Sequence, residues 1–195
     1  MQSLINRLHF FSRFISSPRK IGSITPSSRF LVNALLNPVP WDQTNTIIEL
    51  GAGTGVVTQQ ILQQKKPSCQ VITFESDPQL NQFLKQKFPS LLHCLDAREM
   101  TEQMNQVGVQ QVDCVISCLP FNNFPQWLRQ EILQEIKSIL APNGLFIAYQ
   151  YSLQMKSMLK ANFQQVEIRF VPLNVPPSFI YICRDNKSST SINLH

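Results

Sequence analysis

Three alternating glycines follow a strongly apolar run in the stretch IIELGAGTG, which covers residues 47–55. The chain has only six glycines, and three of them, Gly51, Gly53 and Gly55, fall within this short stretch. Glycine allows a ligand to approach the bare backbone and allows the chain to turn tightly. The spacing therefore indicates that a small charged molecule lies against this loop, although a tight turn without a ligand would use glycine in the same way.

Acidic side chains follow at the ends of the next two predicted strands. A dinucleotide fingerprint needs its third glycine one position later, where the chain has Val56, so the spacing favours an S-adenosylmethionine loop preceded by Glu49. Glu75 ends the second strand, where a carboxylate can accept hydrogen bonds from both ribose hydroxyls. Asp96 ends the third strand, where a carboxylate can accept a hydrogen bond from an adenine amino group. A capping or surface role is the alternative for either acid. The predicted cofactor contacts are Glu49, Gly51, Gly53, Gly55, Glu75, Asp96, Ala97 and Ser117.

Short β-branched and aromatic runs alternate with helix-like stretches along the chain. Strands are predicted at residues 46–50, 70–75, 91–95, 112–117, 144–150, 166–171 and 179–184, and helices at 57–65, 77–87, 98–106 and 126–140. This alternation predicts an α/β fold with a mostly parallel sheet covered by helices on both faces. Residues 142–144 indicate a turn before the fifth strand. Only a proline-rich loop separates the last two strands, so the final strand should pair antiparallel.

Length and composition limit the chain to one globular domain. It has 195 residues, of which 43% are hydrophobic and 15% charged, so a second substrate domain has no room. The five cysteines are odd in number and lie mostly in apolar runs, which indicates reduced core thiols in a cytosolic setting and no metal site. No run reaches the ~20 apolar residues that span a bilayer. Arg7 and Arg13 interrupt the apolar stretch that a signal peptide would need.

The motifs around the predicted strand ends resemble a known enzyme family. ELGAGTG, FESD and LDA, followed by a fourth strand beginning at Asp113, resemble the class I methyltransferases over residues 46–150. That resemblance implies a Rossmann-like fold with a seven-stranded sheet and the use of S-adenosyl-L-methionine. The fourth strand ends in SCLPFNNFP, where amino-methyltransferases acting on adenine carry a polar residue, then Pro or Leu, Pro and an aromatic residue. Cys118 replaces that polar residue, which counts against nucleobase substrates.

A second resemblance covers almost the whole chain. The stretches IGSITPSSRFL (21–31), LPFNNFP (119–125), YQYS (149–152) and NVPPSFIY (174–181) are similar to the bacterial phospholipid N-methyltransferase family. Those enzymes methylate the amine of phosphatidylethanolamine stepwise to phosphatidylcholine. The resemblance implies this activity here, on the inner face of the cytoplasmic membrane. An RNA adenine or small-molecule amine methyltransferase is one alternative, and a catalytically silent cofactor-binding module is another.

All of the excess positive charge lies near the N-terminus. The net charge is +5, and residues 1–41 hold five basic side chains and no acidic one, so the remainder of the chain is balanced. Leu4, Leu8, Phe11 and Ile15 recur at helical spacing beside basic residues, which is typical of a helix lying in a membrane interface. A helix packed on the domain's own core is the alternative. The balanced remainder offers no track for phosphates, so the predicted partner is a phospholipid membrane surface and not a nucleic acid.

These patterns divide the chain into three predicted parts. Residues 1–41 form a basic amphipathic arm followed by a helix that covers the substrate and cofactor. Residues 42–185 form the methyltransferase domain, and residues 186–195 form a flexible polar tail.

Aromatic side chains gather after the fourth and fifth predicted strands. Aromatic faces stabilise the cationic character of a methylated amine by ~0.5–2 kcal/mol per contact. We therefore predict Tyr149, Tyr151 and Phe121 as catalytic residues, and Arg29, Leu119, Phe124 and Trp127 as substrate contacts. Arg29 is expected to bind an anion, such as a lipid phosphate or the cofactor's carboxylate. Core packing is the alternative for each aromatic residue, and the proton acceptor stays open among a tyrosine hydroxyl, His93 and water.

Overall fold

The computed structural model describes residues 29–185, which fold around one seven-stranded sheet with strand order β3-β2-β1-β4-β5-β7-β6. The strands are β1 (Thr46–Leu50), β2 (Gln70–Phe74), β3 (Leu92–Cys94), β4 (Val112–Ser117), β5 (Leu140–Gln150), β6 (Gln165–Val171) and β7 (Ser178–Arg184). Strands β1 to β5 pair in parallel, and β7 pairs antiparallel with both β5 and β6. The predicted α/β class and the antiparallel last strand are therefore confirmed.

Within residues 29–185, six α-helices accompany the sheet: α1 (Arg29–Leu36), α2 (Val56–Gln64), α3 (Pro78–Lys87), α4 (Met100–Gln106), α5 (Gln126–Ile139) and α6 (Lys156–Asn162). The start of α3 shows how local sequence fixes an element. Asp77 accepts hydrogen bonds from the backbone N–H groups of Gln79 and Leu80, and Pro78 occupies the first helical position. Helix α6 was not predicted, because it is short and buries only Leu159, so its apolar periodicity is weak.

Both faces of the sheet are covered, as predicted. One face packs with α4, α5 and α6 in a cluster that includes Met100, Leu128, Ile132, Phe146 and Leu159. The other face packs with α1 and α2 in a cluster that includes Leu31, Leu35, Ile61, Ile116 and Ile147. A strand buried on both faces must be apolar throughout, which explains the continuous hydrophobic runs from which the strands were predicted.

Helix α1 corrects the predicted boundary at residue 41. Leu31, Val32, Leu35 and Leu36 are buried, and α1 contacts α2 and the strands β5, β6 and β7. Residues from Arg29 onward therefore belong to the packed domain, because the apolar face of α1 completes one core. The predicted arm up to residue 28 and the predicted tail at 186–195 lie outside the described residues. Within residues 29–185, no helix combines the length and the apolar character that crossing a bilayer requires.

The predicted turn at residues 142–144 lies inside β5 and does not precede it. Leu140 is paired with Val112 and Leu145 with Cys114, so the chain bulges out of the ladder between them. Asn143 adopts a left-handed conformation with φ of 64° at this bulge. The turn residues were recognised correctly, but the strand starts earlier because Leu140 is buried and resumes the ladder before the bulge.

Candidate active site

The ends of β1, β2, β3 and β4 are joined by backbone hydrogen bonds at the carboxyl edge of the sheet. Gly51 N–H donates to Phe74 O at 2.8 Å, and Cys118 N–H donates to Leu50 O at 2.8 Å. The N–H of Glu75 donates to Cys94 O at 3.0 Å. The loops that follow these strands therefore meet at one place, where ligands of open α/β sheets bind. The structure brings the predicted cofactor residues together there.

The three glycines of the loop after β1 have different surroundings. A side chain at Gly51 would approach Leu119 Cδ2 at 3.0 Å, and one at Gly55 would meet Phe88 Cε2 at 2.5 Å. A side chain at Gly53, whose φ is 55°, would meet no atom of residues 29–185 within 4 Å. Gly51 and Gly55 are therefore required by packing inside the protein, and only Gly53 faces open space that a ligand can fill. This corrects the expectation that all three glycines present bare backbone to the ligand.

Glu75 closes the open space beside Gly53. Its Oε2 accepts the Gly53 N–H at 2.8 Å, and its Oε1 accepts the Asp77 N–H at 2.9 Å. Burial raises the pKa of the Glu75 carboxyl, while the backbone donors oppose that rise. A carboxylate offers about four lone-pair sites, so each oxygen keeps capacity for one ribose hydroxyl. This geometry fits the predicted role of Glu75.

Glu49 is a buried acid, and only one of its two carboxylate oxygens is hydrogen-bonded within residues 29–185. Its side chain is 0% exposed, and its Oε2 accepts the Thr58 hydroxyl at 2.6 Å. Within residues 29–185 its Oε1 has no hydrogen-bond partner. Burial raises the pKa of Glu49 to about 8, with a further contribution from the like charge of Glu75. An unsatisfied carboxylate oxygen next to a second acid suits a cationic ligand, and S-adenosyl-L-methionine carries both a sulfonium and an ammonium group. The residues present therefore fit the predicted cofactor.

Asp96, which was predicted to contact adenine, is paired with Arg98. Its Oδ1 accepts the backbone N–H and the Nε–H of Arg98, both at 2.9 Å, and its Oδ2 pairs with the Arg98 guanidinium. Arg98 thus contacts both oxygens of Asp96 in this structure, and the predicted contact with an adenine amino group stays a prediction. Ala97 is buried at the start of the following 3-10 turn, directly beside this pair.

Phe121 and Phe124 lie in the core and not on the rim of the site. Both rings are buried, and the Phe121 ring lies edge-on to Phe124 at 5.9 Å and to Phe146 at 6.4 Å between ring centroids. Edge-to-face packing satisfies both rings inside the hydrophobic cluster. The predictions that Phe121 is catalytic and that Phe124 contacts substrate are therefore wrong in this structure.

Other predicted acceptor-side residues lie at the exposed edge. The rings of Tyr149, near the end of β5, and Tyr151, just after it, meet edge-on with centroids 5.8 Å apart, and Tyr151 is exposed. Trp127 is exposed at the start of α5, and Arg29 is exposed at the start of α1, 5.9 Å from the ring of Phe30. Their predicted roles stay predictions.

His93 is held inside the fold by two hydrogen bonds. Its Nδ1 is 2.7 Å from the Thr73 hydroxyl, and its Nε2 is 2.9 Å from the carbonyl oxygen of Phe88. Because a carbonyl only accepts, Nε2 carries the proton and donates, while Nδ1 accepts from Thr73. Both ring nitrogens are thus occupied, which removes His93 from the possible proton acceptors.

Comparison with known proteins agrees with this geometry. Residues 21–170 match the methyltransferase small domain. The chain belongs to the methyltransferase small-domain family. It is 32% identical over 185 residues to an ornithine lipid N-methyltransferase of Singulisphaera acidiphila, covering 92% of this chain and 96% of that protein.

Two solved methyltransferases share the fold. Precorrin-6y C5,15-methyltransferase of Geobacter metallireducens superposes with a TM-score of 0.63 at 13% identity, over 80% of this chain and 87% of that one. The O-methyltransferase TomG of Streptomyces achromogenes, solved with S-adenosylmethionine, superposes with a TM-score of 0.61 at 11% identity, over 92% and 88% of the two chains. The Rossmann-like fold is therefore confirmed, and family membership confirms S-adenosyl-L-methionine as the cofactor of this methyltransferase.

One buried polar residue beside the predicted contacts Ser117 and Leu119, Gln150, was not identified from the sequence. Gln150 donates its Nε2–H to the carbonyl oxygen of Leu119 at 2.9 Å, in a buried position. The Ser117 hydroxyl accepts the Leu119 N–H at 3.2 Å. Leu119 is thus fixed at both its amide and its carbonyl. Gln150 ends β5 inside the motif YQYS, and a polar residue at the end of a buried strand was the signal that could have revealed it.

A second polar link joins the loops after β4 and β5. Asn122 donates to the Ser152 hydroxyl at 2.8 Å, and the Tyr181 hydroxyl donates to the Ser152 carbonyl at 3.1 Å. Asn122 Oδ1 is buried and has no hydrogen-bond partner in the part of the chain that the structure describes. Cys118 lies near both acids of the cofactor site; burial and the charges of Glu49 and Glu75 raise the pKa of its thiol well above the usual value, so it stays protonated.

Proposed function

We propose that this methyltransferase transfers the methyl group of S-adenosyl-L-methionine to the amine of a membrane lipid, phosphatidylethanolamine and its methylated products being the predicted substrates. The observation that carries the proposal is the match to an ornithine lipid N-methyltransferase, which spans 92% of this chain and 96% of that protein. The match extends over nearly the whole of both chains and is not confined to the cofactor loop, which supports a related acceptor. A lipid substrate also agrees with the basic N-terminal sequence.

Ornithine lipid is the second candidate substrate, because it is the substrate named for that relative. Both lipids present a primary amine on a short carbon chain beside an acidic group. A site that orients such an amine and tolerates its methylation suits either lipid. We further propose that the enzyme works as a peripheral protein on the inner face of the cytoplasmic membrane.

The residues of the site have separable tasks in this proposal. When bound, S-adenosyl-L-methionine supplies an electrophilic methyl group on a sulfonium. Glu49 and Glu75 provide the negative charge that holds a cationic ligand against Gly53. Leu119, fixed by Ser117 and Gln150, forms the wall between the cofactor loop and the amine.

The amine must be neutral to attack and must be held close to the methyl group. Positioning of this kind accounts for much of the catalysis in such reactions. The rings of Tyr149 and Tyr151 are placed to stabilise the methylated nitrogen by cation–π contact, worth ~0.5–2 kcal/mol each. The proton leaves the amine to a tyrosine hydroxyl or to water.

The test is to incubate the purified protein with methyl-labelled cofactor and four acceptors separately. These are vesicles containing phosphatidylethanolamine, vesicles containing ornithine lipid, vesicles with neither lipid, and RNA. Label in the amine of either lipid supports the proposal and identifies the substrate. Label only in RNA overturns it in favour of a nucleic-acid enzyme, and bound cofactor with no transfer to any acceptor favours a binding module.

A matched pair of glycine variants ties the activity to the proposed site. Gly53 and Gly108 both have positive φ, 55° and 73°, and neither has an atom within 4 Å of the side-chain position. Gly53→Ala and Gly108→Ala therefore carry similar backbone strain, about 1 kcal/mol. Only Gly53→Ala should lose cofactor binding and methyl transfer, because Gly108 lies at the opposite edge, after α4. Equal loss in both variants would show a folding defect and not a ligand site.

A further inference from the structure

The exposed apolar side chains of the described residues are concentrated at one edge of the protein. Ten large apolar side chains are exposed, and eight of them belong to segments at the carboxyl edge of the sheet, where the active site lies. These eight are Phe30, Leu95, Trp127, Tyr151, Leu153, Phe170, Leu173 and Val175. Exposed apolar groups collected around a site indicate an interaction surface.

The loop between β6 and β7, residues 172–177, carries the two most exposed of these apolar side chains. Strand β6 runs parallel to β5, so its end and this loop lie at the same edge as Tyr151. Leu173 is 64% exposed and Val175 is 78% exposed, the largest values among the exposed apolar side chains. The loop contains no charged residue, and Pro172, Pro176 and Pro177 occupy half of its positions.

The side-chain amide of Asn174 in this loop is satisfied by local hydrogen bonds. Asn174 is 3% exposed, and its Nδ2 donates to Pro176 O at 2.7 Å and to the Ser178 hydroxyl at 2.9 Å. Proline has no N–H group, so the three prolines remove three backbone donors. Entering hydrocarbon is unfavourable mainly because of unsatisfied polar groups. The missing proline N–H groups and the bonded Asn174 amide therefore lower the penalty for moving this loop out of water.

The N-terminal segment joins the fold at the same edge. The end of α1 connects through residues 37–45 to the start of β1, so α1 runs opposite to the strands and its first residue, Arg29, faces the carboxyl edge. Residues 1–28 attach there, and they carry Arg7, Arg13, Arg19 and Lys20 without an acid. Basic residues next to an apolar surface fit an anionic lipid bilayer.

We propose that residues 172–177 insert among the lipids of an anionic bilayer and that Leu173 and Val175 enter the apolar region. The loop then holds the carboxyl edge against the membrane, with the active site opening towards the headgroups. The inference rests on the proposed function, because a lipid substrate explains why the site should face the membrane. It does not depend on which lipid is methylated.

The experiment measures partitioning of the full chain onto vesicles of phosphatidylcholine and phosphatidylglycerol, which contain no amine substrate for methylation. Leu173→Ser/Val175→Ser is compared with the wild type and with Val107→Ser, a like change at an exposed position on the opposite edge. The loop variant should partition roughly a hundredfold more weakly, since it loses the burial of a leucine and a valine. Val107→Ser should bind as the wild type does. Because these side chains are exposed, neither change should impair folding.

A second variant reports insertion directly. A tryptophan at the tip, Val175→Trp, should be quenched by brominated lipid acyl chains, whereas Val107→Trp should not be, after subtracting the wild-type signal. Equal partitioning of the loop variant and the wild type, together with an unquenched tryptophan at the tip, overturns the proposal. A concentration-dependent dimer that the loop variant abolishes, with vesicle binding unchanged, overturns it in favour of a second copy of the chain as the occupant.

These outcomes are distinguishable from failure of the proposed function. Loss of vesicle binding in the loop variant supports the inference even if no lipid is ever methylated. Conversely, methylation of a lipid amine supports the function even if the loop variant binds vesicles normally.

Discussion

At the level of single residues, Glu49 has the largest electrostatic consequence. Its pKa rises from 4.5 to about 8 because the carboxyl is buried. Between these values the folded protein holds a proton that the unfolded chain releases, so stability must fall as pH rises. The expected loss is about 2 kcal/mol of unfolding free energy between roughly pH 6 and pH 8. Urea denaturation at the two pH values measures it.

The matched variant is Glu49→Gln, which imitates the protonated acid and can still accept the Thr58 hydroxyl. In this variant the unfolding free energy should depend much less on pH. The small dependence that remains comes from Glu75, whose raised pKa acts in the same direction. A cationic cofactor favours the ionised acid, so the wild type should release a proton on binding and bind more tightly towards pH 8. Calorimetry in buffers of different ionisation enthalpy detects that proton. Identical pH profiles for wild type and Glu49→Gln would contradict this account.

Single residues also differ in how well their surroundings can be predicted from the sequence. Residue type and position after a strand were enough to predict that Glu49, Gly53 and Glu75 lie at one edge, because strand ends of a parallel sheet must converge. The competing partner of Asp96 was harder to foresee, since Arg98 engages it through a local turn. Which way Phe121 points depends on the space beneath the loop, and spacing along the chain carries no information about that space.

At the level of elements, the loops after β4 and β5 act as a single unit through Gln150. Replacing Gln150 by methionine keeps the volume but leaves the buried Leu119 carbonyl without its donor. Leaving such a group unsatisfied costs about 1–3 kcal/mol. Gln150→Met should therefore lower the unfolding free energy by that amount and reduce methyl transfer more than cofactor affinity, because Leu119 lies between the cofactor loop and the predicted amine site.

Gln154→Met is the control, since Gln154 is exposed shortly after the same strand. It should change neither unfolding in urea nor turnover. If Gln150→Met also changes neither the unfolding free energy nor turnover, the two loops are not coupled through this hydrogen bond. Should cofactor affinity fall in parallel with turnover, Gln150 supports the fold as a whole and not the acceptor side.

Elements that bury a regular face were predictable, whereas short or interrupted ones were not. The continuous apolar runs of β1, β2 and β4 follow from burial on both faces, and α5 shows its buried face at helical spacing. Helix α6 buries only Leu159, so its sequence resembles a loop. Helix α1 was assigned to a separate arm because its charge pattern continues that of the preceding residues, although its apolar face completes the core.

At the level of the whole molecule, charge and apolar surface make separate contributions to membrane binding. Replacing Arg7, Arg13, Arg19 and Lys20 by glutamine removes most of the excess charge of the chain. Each basic residue near anionic lipid contributes about 1 kcal/mol, so partitioning onto phosphatidylglycerol vesicles should fall by roughly a hundredfold or more. Cofactor affinity should stay unchanged; if it collapses too, the N-terminal segment covers the cofactor and does not bind lipid.

Salt separates the two contributions. Screening shortens the reach of exposed charges from about 10 Å at 0.1 M salt to about 3 Å at 1 M, whereas apolar burial is not screened. Wild-type partitioning should therefore fall with salt, and the variant lacking the four basic residues should show little salt dependence. Leu173→Ser/Val175→Ser should bind vesicles more weakly at every salt concentration, but its partitioning should fall with salt as steeply as that of the wild type.

The charge control is Lys85→Gln/Lys160→Gln, in the last turns of α3 and α6. It should keep both the vesicle affinity and the salt dependence of the wild type. A loop variant that loses the salt dependence would show that both segments act through charge, and the apolar tip would then have no contribution of its own.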